Sequence, residues 1–386
     1  LMTAVFGSTV VAISGNRTKP RRGGWRERHN GPMTAAVLLA TALAGNASIT
    51  PLTELARTDA ALPARLSGFV GGCELVLLDA SAKELARVAT AAGQVDLAEL
   101  FPEIGRAARE QPSVLRVQPI LEGSPSGAPL LVIPLKNRDT IRTATDTRPD
   151  GKTSYTRVIG WGDRLLDASN EAHAKLKETW PKADPQPLSG FRLMADVDVV
   201  FTTSAGMIRF AMCPEHAPNT ARNFVELAQK GFYNGTIVHR IVPADRNGLP
   251  FVIQGGDPTG TGDGGPGYDL PLEPSALAHD FGVISMARND WPDSAGSQWF
   301  VCLSREATAR LDGQYCAFGY AVSGAEAILQ IAAGEVVDPA TGRPKTPETV
   351  TSAFTVPAPP WTPGKGRPDA RVERAAAAPA AVESDR

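Results

Sequence analysis

Phe251-Val252-Ile253-Gln254-Gly255-Gly256-Asp257 (FVIQGGD) decides how this chain is read. It is a short apolar strand that runs directly into a Gly-rich connection. Upstream lies His239-Arg240-Ile241-Val242-Pro243. Downstream come GVISMAR (Gly282 to Arg288), GSQWFVCL (Gly296 to Leu303) and LDGQYCAFG (Leu311 to Gly319). No block alone is decisive, but five blocks in this order form a very specific set.

The bulk numbers set the frame. With 386 residues the chain has room for two domains or more, and a hydrophobic fraction of 42% is enough for packed cores. A net charge of -2 excludes a global electrostatic pull toward nucleic acid or anionic lipid. Cys73, Cys213, Cys302 and Cys316 show no C-x-x-C spacing and no paired His ligands, which argues against zinc. They are either buried thiols or include one disulfide, and buried thiols are the simpler expectation.

The first part, residues 1–47, reads as a leader. Arg17, Lys19, Arg21, Arg22, Arg26 and Arg28 form a basic stretch. AAVLLATALA follows (Ala35 to Ala44), ending in an A-x-A pattern. Basic, then short apolar, then small is the layout of a secretory signal peptide, and the run is too short to span a bilayer. This predicts export to the periplasm or another extracytoplasmic space; the alternative is a disordered Ala-rich leader in a cytoplasmic protein. The chain opens on Leu1 and Met33 directly precedes the apolar run, so a start downstream of residue 1 is expected.

Residues 48–180 read as a separate α+β region in which we recognise no motif. Leu75 to Leu78 and Leu130 to Leu135 are strand candidates. Asp79 and Ser81 are expected to cap a helix through about Ala92, with Leu85, Val88 and Ala89 at helical spacing. Pro149-Asp150-Gly151 is a turn signal within Thr147 to Ile159 and predicts a hairpin. Ala168 to Trp180 reads as a helix stopped by Pro181. Pro181, Pro185 and Pro187 mark residues 181–194 as a linker.

Within residues 195–355, Val197 to Thr202 and Gly206 to Met212 read as strands about a Thr-Ser-Ala-Gly turn. Pro218 to Lys230 reads as a helix, with Ala221, Phe224, Val225 and Ala228 on one face and Gly231 ending it. Gly324 to Ala333 reads as a second helix. From Pro357 the composition turns to Pro, Ala and charge, so residues 356–386 are predicted to be disordered.

The ordered blocks resemble the cyclophilin family of peptidyl-prolyl cis/trans isomerases over roughly residues 195–355. The resemblance implies a mainly β fold, a closed eight-stranded antiparallel barrel capped by two helices, here preceded by the small α+β region of unknown type. It also implies proline-containing polypeptides as substrates and no cofactor or metal. Rotating a peptide bond opposes a barrier of about 18–20 kcal/mol, while the two X-Pro isomers differ by only about 0.5–1 kcal/mol. A catalyst therefore has to bind the twisted amide better than either planar form. In that state the proline nitrogen recovers its lone pair, and a fixed cation donating to it is stabilising. Arg240 matches the family's catalytic arginine; Phe251 and Gln254 match its neighbours in the catalytic set. Val252, Phe300 and Leu311 match the proline pocket together with Phe251. Ala287 and Arg288 match the segment whose main chain pairs with the peptide. Gln298 sits beside Phe300, and Tyr315 stands where many members carry histidine. The reaction transfers no proton, so His239 is expected to be structural.

Taken singly, each of these residues has a plainer reading: a surface arginine in an ion pair, or apolar core. Gly260, Gly262 and Gly265 fit G-x-G-x-x-G, but Pro266 and Gly267 follow where a helix would have to begin, so a Gly-rich loop is expected rather than a dinucleotide site. Three departures from the family stand out. Ala244 to Pro250 is an insertion with a turn signal at Asn247-Gly248. Arg310 replaces the tryptophan that is associated with cyclosporin binding, so weak cyclosporin affinity is expected and a tight inhibition curve would contradict it. Arg288 replaces an asparagine and is expected to favour acidic residues flanking the proline. The alternative to an active isomerase is a module that binds Pro-containing segments with little catalysis.

Overall fold

The computed structural model describes residues 47–374 except 70–71, 111–112, 137–140, 148–153, 162–163, 166–168, 181–187 and 274. The expected leader therefore lies outside the described residues, as do the Pro149-Asp150-Gly151 turn and the prolines at 181, 185 and 187.

The N-terminal part is built on a seven-stranded sheet. Its main path uses β1 (Leu55–Ala56), β2 (Gly72–Leu78), β3 (Glu84–Ala91), β4 (Leu115–Leu121), β5 (Leu130–Lys136) and β6 (Leu188–Ala195), in the order β1-β6-β5-β4-β2-β3. Ile141–Thr147 and Ser154–Trp161 pair antiparallel, as the turn signal predicts. Of the helices here, α1 (Glu103–Glu110) puts Ile104 and Ala108 into the core of this sheet, and α2 (Glu171–Glu178) follows the hairpin in sequence. Leu75, Leu77, Phe101, Ile104, Val117, Val132 and Phe191 share one apolar core.

Three expectations need correction. The predicted helix after Asp79 is the strand β3. The Asp79 carboxylate caps a tight turn instead, accepting from the N–H groups of Ser81 and Lys83 at 2.9 Å each, with Ala82 at φ 65°. Val88 is β-branched, its neighbours alternate in exposure, and β2 offers a continuous partner, so tertiary pairing overrides the helical spacing. Secondly, residues 188–194 are not a linker: they lie in β6, which pairs with β5 and β1. Thirdly, among the described residues the stretch from Ala358 to Arg374 is ordered. Trp361 is buried, its backbone N–H donates to Gln118 Oε1 at 2.7 Å, and Val372 N donates to Ala321 O at 2.8 Å. Low hydrophobicity there hides three anchors, Trp361, Arg367 and Val372.

The second sheet has eight strands: β7 (Val197–Thr203), β8 (Gly206–Met212), β9 (Arg240–Val242), β10 (Val252–Gly255), β11 (Val283–Met286), β12 (Trp299–Cys302), β13 (Ala317–Ser323) and β14 (Val350–Pro357). Their order is β9-β10-β12-β11-β13-β8-β7-β14, all antiparallel. The expected closed barrel is not formed, because no ladder joins β9 to β14; the sheet is a curled half-barrel. β9 is only three residues long and Pro243 follows it without an N–H. Isolated bonds cross the opening instead, such as Gly235 N to Val350 O and Val238 N to Glu348 O, both 2.8 Å.

Two helices bury one face each in this sheet's core. α3 (Pro218–Gln229) contributes Ala221, Phe224, Val225 and Ala228, the face its spacing predicts. α4 (Ala325–Ala332) contributes Ala327, Ile328 and Ile331. Pro218 stands in the first turn of α3, and Gly231 (φ 69°) turns the chain at its end. The Phe201 ring centre lies 5.5–5.6 Å from those of Phe210, Phe224, Tyr233 and Trp299.

The two cores meet at a buried charge cluster. Arg116 on β4 is fully buried. It pairs with Asp196 (3.3 Å) and Glu215 (2.8 Å), and its guanidinium lies 3.8 Å over the Trp361 ring. Beside it Arg367 pairs with Asp198 (3.0 Å) and Asp369 (2.5 Å). All four cysteines are free and buried, and burial pushes their thiols up. Among the described residues no helix is long and apolar enough to cross a membrane.

Candidate active site

Register builds the site. On adjacent antiparallel strands Arg240 lies opposite Gln254, and Gln254 opposite Phe300. Directly paired residues put their side chains on the same face of a sheet. Arg240 Nη1 donates to Gln254 Oε1 at 3.1 Å. Gln254 Nε2 donates to Gln298 Oε1 at 3.0 Å, and Gln298 Nε2 donates to the carbonyls of Gly262 (2.7 Å) and Gly264 (2.9 Å). A single line of bonds thus runs from the Gly-rich loop to the guanidinium. Among the described residues Arg240 pairs with no carboxylate, unlike a surface arginine in an ion pair.

The apolar half of the site lies alongside. Val252, Phe300 and Leu311 cluster with Val283, Cys302 and Ala317, and Phe251, Ala287 and Tyr315 pack against them. Tyr315 meets Phe300 edge-on, with centroids 5.6 Å apart. Arg288 lies 4.6 Å over the Tyr315 ring and donates to the carbonyls of Gln314 and Asn289. Ala287 N–H is already bonded to Gln298 O at 2.9 Å. A cleft of about 510 Å³ opens beside them, lined by Gln254, Gly262, Ala287, Arg288, Asn289 and Gln298 among others. Every residue expected for the site is therefore brought into one region. His239 is buried, and burial lowers its pKa, so it is neutral at pH 7.

The sequence profile described as "Cyclophilin type peptidyl-prolyl cis-trans isomerase/CLD" matches residues 198–355. Among curated proteins, the "Peptidyl-prolyl cis-trans isomerase-like 1" of Aspergillus fumigatus is 43% identical over 139 residues, 35% of this chain and 81% of that protein. The chain belongs to the cyclophilin family. The human "Peptidyl-prolyl cis-trans isomerase-like 1" is 42% identical over 132 residues, covering 33% of this chain and 74% of its own length. A crystal structure of a cyclophilin-type isomerase from Cryptosporidium parvum, in the presence of the dipeptide Ala-Pro, aligns with a TM-score of 0.37 and 29% identity over 41% of this chain and 98% of that one.

The cyclophilin domain holds its Gly-rich loop through Asp257, which is fully buried. Its carboxylate accepts from Thr259 N (2.7 Å), Thr259 Oγ1 (2.8 Å) and Gly262 N (2.6 Å). A Cβ on Gly264 would fall 2.0 Å from Asp257 Oδ1, so only glycine fits there. The glycines thus serve this loop, and no helix starts at its end. Burial opposes the charge on Asp257, but the bonds from Thr259, Gly264 and Gly262 outweigh it and hold the carboxyl at about 2. An unfolded Asp titrates near 3.9. The loop's contribution to stability is therefore complete above about pH 4 and is lost as pH falls toward 2. Thermal melting followed from pH 7 down to 2 is expected to fall below about pH 4; in Asp257→Asn this component of the fall is expected to disappear.

Two supporting groups of this cyclophilin escaped the sequence reading. His279 is buried and stacks on Phe300 (5.9 Å, 14°), with Nδ1 3.0 Å from Asp312 and Nε2 3.0 Å from Ser285 Oγ. Burial lowers its pKa, so it backs the pocket as a neutral ring. The other group is Asp245 with Arg310, which lies 4.3 Å over Phe251. The insertion offered a turn signal, but nothing in sequence ties residue 245 to residue 310.

Proposed function

We propose that the cyclophilin domain of this chain catalyses cis/trans isomerisation of X-Pro bonds in exported polypeptides by non-covalent stabilisation of the twisted amide. The observation that carries this is the Arg240–Gln254–Gln298 line set beside the Val252–Phe300–Leu311 pocket. The proline ring enters the pocket between Phe251, Phe300 and Leu311 and is held there. The carbonyl before it swings, and the nitrogen pyramidalises with its lone pair toward Arg240. The guanidinium is already oriented by Gln254, so little reorganisation opposes the step. The carbonyl of Ala287 and the main chain of Arg288 take the extended peptide. No proton, metal or cofactor enters the scheme. Export rests on the basic-apolar-small layout of residues 17–44; N-terminal sequencing of the mature protein tests it, and an intact Met33 end contradicts it.

Exchange NMR on a short X-Pro peptide tests the activity. Acceleration of a step that otherwise takes tens to hundreds of seconds is expected. Binding with exchange left at the uncatalysed rate would make the domain a Pro-segment binder. Arg288 donates to neutral carbonyls, so its charge stays available at the cleft. Peptides with Glu beside the proline are expected to be turned over about two- to fivefold more efficiently than those with Lys, a preference that shrinks in high salt. Equal efficiencies would remove charge selection.

A further inference from the structure

The insertion after Pro243 does not bulge away from the site. Asp245 closes it: Asp245 Oδ1 accepts from Asn247 N (2.8 Å) and Leu249 N (3.1 Å), and Asp245 N donates to Leu249 O (2.7 Å). Asp245 Oδ2 then takes Arg310 Nη1 at 2.8 Å. The Asp245 side chain is only 3% exposed, against 53% for Arg310. Arg310 belongs to the 3-10 turn Ala309–Leu311, whose last residue is part of the pocket wall. Its guanidinium covers the ring of Phe251, which opens the strand on the opposite wall. Ser304 Oγ donates to Pro250 O (2.7 Å) and Leu303 N to Phe251 O (2.8 Å), so the strand is pinned from the same side. Arg310 and the loop N–H groups hold the Asp245 carboxyl below the usual carboxylate range, so the pair is charged at neutral pH.

We propose that Asp245 and Arg310 form a latch across the mouth of the proline pocket, positioning residues that fix Phe251 against Leu311 and set affinity for the proline-containing peptide. The inference rests on the isomerase reading of this site and gives the insertion a part in binding substrate. An arginine plane over an aromatic ring, oriented by a carboxylate, rigidifies a wall that would otherwise be a free phenylalanine at the edge of a groove. The latch acts on binding; rotation of the bound amide belongs to Arg240.

The experiment is exchange NMR on the full chain with one X-Pro peptide, reading the Kd and the on-enzyme exchange rate separately for the wild type, Asp245→Asn, Arg310→Ala and the double variant, with melting temperatures alongside. Asp245→Asn keeps the loop's side-chain acceptor but not the ion pair. The expected result is a Kd raised about fivefold in each single variant, no further rise in the double, and an unchanged on-enzyme rate. An unchanged Kd in both singles overturns the latch, as does simple additivity in the double or a lowered melting temperature with unaltered Kd. A wild type that binds the peptide without accelerating exchange sinks the isomerase reading alone; the same Kd comparison then still decides the latch. A wild type that does not bind the peptide overturns both.

Discussion

Arg240→Ala is expected to slow on-enzyme prolyl exchange by about 10²–10³-fold, the loss typical when one preorganised donor to a transition state is removed. On the proposed reading peptide affinity is expected to change little, because the apolar cluster of Val252, Phe300 and Leu311 would hold the proline ring in ground and transition states alike. In the proposed scheme the cation is needed only when the nitrogen lone pair is exposed. Arg240→Lys keeps the charge but replaces a planar donor aligned on Gln254 by a flexible point charge, so it is expected to recover only part of the rate. Exchange NMR separates rate from affinity. A variant that loses affinity and keeps its on-enzyme rate would return Arg240 to the status of a structural arginine.

The second large effect lies far from the site. Arg116→Met is expected to destabilise the protein by about 3–5 kcal/mol, because it strands Asp196 and Glu215 at a buried boundary. Apolar volume alone does not compensate, since the carboxylates remain. Arg116→Met/Asp196→Asn is expected to regain part of the loss. Burial already pushes the Asp196 carboxyl up to about 6 with Arg116 present. A carboxyl whose folded pKa is raised takes up a proton on folding, so its contribution falls as pH rises from about 4 through 6. Without the arginine that pKa rises further, and the deficit of the variant is expected to be larger at pH 8 than at pH 5. Urea unfolding at the two pH values measures both effects; equal stability of wild type and Arg116→Met would mean that the cluster adds nothing.

What sequence reveals here follows from how far apart the cooperating residues lie. The Arg240–Gln254 pair sits on two neighbouring strands, and the helix face of α3 repeats every turn, so both are written locally. The candidate pocket residues can be named because ordered blocks carry them, and the structure clusters them. The strand β3 was hidden because Leu85, Val88 and Ala89 fit a helical stripe equally well, and only the partner strand β2 decides between the two. His279 and Asp312 are 33 positions apart, Asp245 and Arg310 are 65. Such pairs have no local signature. The open edge between β9 and β14 was equally invisible, since strand count says nothing about whether the first and last strands pair.

The anchor at Trp361 has a consequence for synthesis on the ribosome. Its backbone N–H donates to Gln118 Oε1, 243 positions earlier, and its ring covers Arg116. At about 5–20 residues per second, roughly 12–50 s separate the emergence of the two partners. Until Trp361 arrives, Arg116 lacks the ring that covers it and Gln118 Oε1 lacks the backbone N–H it accepts from. That window reaches only the short end of the tens to hundreds of seconds that uncatalysed X-Pro rotation takes, and the chain contains 32 prolines. Trp361, followed by Arg367 and Val372, therefore closes a boundary between two parts of the chain that have already been synthesised.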